Sequence, residues 1–146
     1  MARIGSKRPR AGQAIIELTL LMPWIFFLFV GALDFGFYSH ALISTQNAAR
    51  IAALYTAQCP GTAADQATAC YRAQVEMAMM PNASQFVGGC SSGPLRVTVT
   101  PFTDSEGLSA SRVLVTYQTV PMIPIPGVVT GQLTINRAAE VRVFGD

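Results

Sequence analysis

A chain of 146 residues that is 51% hydrophobic and only 12% charged is too apolar to be disordered, and it has room for one modest domain beside a membrane segment. The formal charge of +2 comes from Arg3, Lys7, Arg8 and Arg10, because beyond Asp34 six Arg face six Asp plus Glu. Binding to nucleic acid through phosphate neutralisation needs a basic face, and no Lys or Arg cluster exists after the first ten residues, so that class of partner is excluded.

Residues 1–12, MARIGSKRPRAG, carry four positive charges and no acid. The positive-inside rule keeps such a leader in the cytoplasm and sends the C-terminus across the membrane. From Leu18 to Leu33 no side chain is ionisable, and adding Ala14, Ile15 and Ile16 gives about twenty residues, enough to cross a hydrocarbon core of ~30 Å. A secretory signal, with Val30-Gly31-Ala32 as its cleavage site, is the rival reading. Against it stand the length of the run and Glu17, for which a signal sequence gives no reason. A carboxylate at the edge of a membrane helix either snorkels to the headgroups or has a partner.

Helix-forming residues continue past Asp34 through Ala41, Leu42, Ala49 and Ala52, so the reading is one helix over 13–57 that outruns the membrane as a stalk of about 68 Å at 1.5 Å per residue. Pro23 removes a backbone donor and should bend it. Ala48, Ala49, Ala52 and Ala53 permit close helix approach, although helix propensity accounts for them equally well. His40 has no second ligand nearby and reads as a solvated or interfacial side chain.

A basic leader ending in Gly12, followed by an apolar run whose fifth residue after that glycine is Glu17, resembles the class III signal of type IV pilins and pseudopilins. The match narrows through Gly12, Gln13, Ala14, Glu17 and Pro23, then Asp34-Phe35-Gly36 and Asn47-Ala48-Ala49-Arg50, to a resemblance to the TadE-like family of the tight-adherence (Flp) pilus system. It covers about residues 11–55. Leu18 stands where Phe is commoner in that family, and Asp34 where Glu is frequent. The resemblance implies a cut between Gly12 and Gln13 by a prepilin peptidase. It also implies that Glu17 pairs with the freed N-terminal amine of a neighbouring subunit, and that Leu18–Leu33 is the packing surface.

Residues 58–146 read as an extracytoplasmic head. Gln58-Cys59-Pro60-Gly61 ends the first helix, and Thr62 with Asp65 has the form of a capping box for a second helix running to about Met80, stopped by Pro81-Asn82. Asn82-Ala83-Ser84 fits a glycosylation pattern that is discounted here. Leu95, Val97 and Val99 alternate with Arg96, Thr98 and Thr100 as in a half-buried strand. A turn over Thr103–Gly107 precedes a second strand, Arg112–Val120, and Gln132–Phe144 reads as a third. The fold class is α+β: a long N-terminal transmembrane helix and a head with one helix on a three-stranded antiparallel sheet. Met122, Ile123 and Ile125, in the Pro-punctuated loop before the last strand, suggest either a docking tip or packing beneath the sheet or against the stalk.

Cys59, Cys70 and Cys90 allow three pairings, among which sequence does not choose. Their spacings, with one distant His, do not assemble a zinc site, and neither a cofactor nor a small-molecule substrate is expected. Asp104 and Glu106 lie in a turn, and no serine has a plausible base, so the chain is not read as an enzyme. The expectation is therefore a minor pseudopilin in the bacterial inner membrane, single-pass with the N-terminus cytoplasmic, that joins or primes a pilus used in adhesion. Its partners would be the membrane, a prepilin peptidase, other pilin subunits and the assembly machinery. The alternative is an uncleaved, membrane-anchored envelope adaptor that binds through the Pro121–Val129 loop.

Overall fold

The computed structural model describes residues 11–86, 89–123 and 131–144. Helix α1 spans Ala11–Thr56 with Pro23 inside it. Two compact units divide the chain between Phe35 and Gly36, within α1. The first unit contains the apolar part of α1. A helix is what a bilayer demands of such a segment, because it satisfies its own backbone polar groups where no water can.

The second unit begins with the remainder of α1 and continues with α2 (Gln66–Glu76), β1 (Leu95–Thr103), β2 (Ser109–Gln118) and β3 (Thr134–Arg142). The strands form one antiparallel sheet in the order β1-β2-β3. Its register pairs Leu95 with Tyr117 and Thr103 with Ser109 on one side of β2, and Ala110 with Arg142 and Gln118 with Thr134 on the other. Alternation along β1 and β2 puts Leu95, Val97, Val113, Val115 and Tyr117 on one buried face, which Ile135 of β3 joins. The opposite face is polar, with Arg112 and Glu140 paired across neighbouring strands at 2.7 Å. One face is packed and one solvated, as suits a small antiparallel sheet.

The packed face is covered from two directions. Ala69, Cys70, Ala73 and Met77 come from α2 and its C-cap, while Ala48, Ala49, Ala52 and Ala53 of α1 are fully buried in the same cluster. The helix expected to carry the head thus also enters its core, and the four alanines are small because a sheet lies against them. Arg72 of α2 stacks over the Tyr55 ring at 3.7 Å. At the end of α1 the Ser111 hydroxyl donates to the Ala63 carbonyl at 3.0 Å and lies 3.0 Å from the Thr56 hydroxyl. The Phe144 amide donates to Ala57 O at 2.8 Å, so both β2 and the residues after β3 are tied to the helix end.

Helix α2 is shorter than the sequence suggests. Asp65 is its N-cap and accepts from the amides of Ala67 and Thr68 at 3.0 Å, whereas the Thr62 hydroxyl donates to Thr56 O at 3.1 Å and closes a separate 3-10 turn, Pro60–Thr62. The helix ends at Glu76, and overlapping turns carry the chain past Pro81, so that proline is not what stops it. Strand β2 starts earlier than expected, because Ser111 turns its hydroxyl inward to polar partners and lets the strand reach Ser109.

Candidate functional site

The residues singled out for processing and assembly lie in the first two turns of α1. Gly12 has open space around it: a Cβ built there would meet nothing within 4 Å. One turn on, the Gln13 amide donates to Glu17 Oε1 at 3.0 Å, joining the side chains on either side of the turn. These positions belong to the first turns of α1 among the described residues. Gly12 and Gln13 are therefore accessible, and Glu17 is exposed with one oxygen already bonded to its own chain.

Beyond Glu17 every side chain through Phe29 is exposed, including Trp24 at 72% and Leu28 at 73%. An uncovered apolar surface of this extent is incompatible with water and suited to lipid or to other helices. Helix α1 is the one helix among the described residues that is long and apolar enough to cross a membrane. The Thr19 hydroxyl satisfies itself on Ile15 O at 2.8 Å. Asp34 closes the stretch: it is buried, and its Oδ2 has no hydrogen-bond partner.

Cys70 and Cys90 form the disulfide, and Cys59 is free and exposed. The bridge fastens α2 to the segment leading into β1. The Cys59 thiol is held below its ordinary pKa by hydrogen bonds from Thr62, first from its side chain and then from its backbone. Of the loop residues, Met122 is buried and lines a small hollow with Met80 and Tyr117, Ile123 is exposed, and Ile125 lies outside the described residues. His40 is exposed at the rim of the same hollow. Asp104 organises the β1–β2 turn, accepting from the amides of Glu106 and Leu108 at 2.9 and 3.0 Å. Hydrogen bonding from the Leu108 backbone, above all, lowers its pKa. Both Asp104 and Glu106 also pair with Arg142, at 2.6 and 2.9 Å.

Two polar contacts were not foreseen from sequence. Asn82 is buried, accepting from the Tyr117 hydroxyl at 2.6 Å and donating to Gln118 O at 3.0 Å, so the glycosylation-like triplet is a structural clamp. The Gln66 side chain donates to Val97 O and accepts from the Val99 amide at 3.0 Å, imitating a strand along the outer edge of β1. Neither has a local sequence signature, because each partner lies more than thirty residues away.

Residues 12–54 match the family model described as TadE-like protein. Over those residues the helix is similar to that family. The match begins at Gly12 and ends two residues short of the end of α1, so it takes in both the apolar run and the buried alanines and leaves the sheet outside it. The apolar helix within the match is compatible with a single-pass membrane protein. No curated protein and no solved structure matches the chain.

Proposed function

We propose that the chain is a minor pseudopilin of a tight-adherence pilus, a non-catalytic subunit released from its leader by a prepilin peptidase between Gly12 and Gln13. The observation that carries the reading is the coincidence of the TadE-like match with an exposed apolar helix whose opening turns bear Gly12, Gln13 and Glu17. Cleavage would remove four positive charges and take the formal charge from +2 to −2, which deletes the cytoplasmic retention signal. The new Gln13 amine and Glu17 of an adjacent subunit would then neutralise each other as the helices pack, an exchange in which Glu17 gives up its bond to the Gln13 side chain. Leu18–Leu33 would supply the packing surface, with Pro23 bending it, and the head would lie on the extracytoplasmic side, where its disulfide is chemically at home.

The test is the N-terminus and intact mass of the chain recovered from membranes with and without the cognate peptidase. A peptidase-dependent start at Gln13 supports the reading. An unprocessed N-terminus in both preparations replaces it with an uncleaved envelope adaptor.

A further inference from the structure

The two ends of the head differ in chemistry. At one end lies the β1–β2 turn with Asp104 and Glu106, held by Arg142. At the other lie residues 77–86 and 117–123, which contain no Asp, Glu, Lys, Arg or His. The hollow lined by Phe37, His40, Met80, Pro81 and Met122 brings this uncharged end against the first turns of α1 in the second unit. Gly36 follows Phe35 in the chain, so this is the end of the head joined to the apolar run.

This end exposes large apolar side chains from separate segments, whereas Phe144 and Leu108 are exposed at the other. Met79 is 87% exposed, Phe37 56% and Ile123 55%, and Pro81 and Pro121 are exposed beside them. Three unrelated segments, a helix, the turn after α2 and the loop after β2, thus converge on an apolar rim, with Asp104, Glu106 and Arg142 at the far end of the sheet and Arg96 exposed on its other face near this one. Side chains this apolar are costly to leave in water, and the headgroup–acyl boundary accepts them without demanding that charge be desolvated.

We propose that this rim seats in the lipid interface, so that the head is held to the bilayer by Phe37, Met79 and Ile123 as well as by its covalent helix. The inference rests on the membrane reading of α1 given above. It makes the head a lipid-apposed body with a fixed underside, and it gives the loop after β2 a lipid partner in place of a protein one. His40 lines the hollow at an exposed place on the rim that suits the headgroup layer.

The full chain carrying Cys59→Ser, with its disulfide intact, would be reconstituted in phosphatidylcholine vesicles with one environment-sensitive label at a time. The label sites are Met79→Cys, Ile123→Cys, Leu28→Cys in the apolar run and Ser105→Cys in the distal turn. Brominated lipid should remove most of the emission at positions 28, 79 and 123 and leave position 105 nearly unchanged. Quenching at 28 with positions 79 and 123 behaving like 105 overturns the lipid seat alone, including the case in which another protein covers the rim. Absence of quenching at 28 overturns the membrane reading and the lipid seat together.

Discussion

Removing the Cys70–Cys90 bridge is the perturbation whose size the structure fixes most directly. The bridge spans 20 residues, and releasing a loop of that length returns chain entropy to the unfolded state worth about 3 kcal/mol at 25 °C in the loop-closure description. Both cysteines are buried in the cluster that includes Ala73, Met77 and Leu95, so Cys70→Ala with Cys90→Ala also empties packed volume and the loss should not fall below that figure. All four tyrosines lie in the second unit, whereas Trp24 lies in the first, so tyrosine near-ultraviolet circular dichroism of the full chain in detergent follows the head separately from its anchor. With a urea slope of ~1–3 kcal/mol/M, the midpoint should fall by about 1–3 M. Cys59→Ser, at an exposed and unbridged site, should stay within about 0.5 kcal/mol of the parent. A double variant that unfolds within 1 kcal/mol of the parent, by the scale of these effects, would refute the reasoning.

Three further outcomes are expected. Ala53→Leu forces a larger side chain into a fully buried position of α1 and should destabilise the head by about 1–3 kcal/mol in the same urea assay; a neutral result would mean that this part of the helix stands clear of the sheet. Tyr117→Phe leaves the buried Asn82 carbonyl without its donor and should cost about 1–3 kcal/mol near neutral pH. Burial also raises the Tyr117 pKa above its model-compound value of 10.0, so its contribution is fully present below pH 10 and is lost as pH rises through the folded-state value; alkaline denaturation should be shallower in the phenylalanine variant. Glu17→Ala should leave membrane insertion intact and abolish incorporation into pili, and normal amounts of the variant in purified fibres would contradict the proposed charge pairing.

The long apolar helix and β1 were legible because each has a plain composition or period: an uncharged run from Leu18 to Leu33, and strict alternation from Leu95 to Thr100. The head's use of α1 was not legible. Alanines at 48, 49, 52 and 53 look the same whether helix propensity or a neighbouring sheet selects them, and only contact with residues some fifty positions later tells the two apart. The same distance hid the early start of β2, since Ser111 looks like a turn residue until Thr56 and Ala63 are placed beside it. The disulfide pairing was undetermined for a related reason: spacing along the chain carries no information about which thiols a fold brings face to face. In the candidate site, Gly12, Gln13 and Glu17 could be singled out from their order alone because they lie within two helical turns.

The glutamine bracket on β1 bears on how many molecules could ever join through their sheets. A free strand edge is a template, and a body with two such edges can add neighbours on both sides without end, as fibrillar aggregates do. Here Gln66 occupies the acceptor of Val97 and the donor of Val99 on one side, and no such bracket is seen along β3 among the described residues. The Cys90 carbonyl takes the Val97 amide on the same side, so this stretch of the β1 edge offers no free template to a further strand.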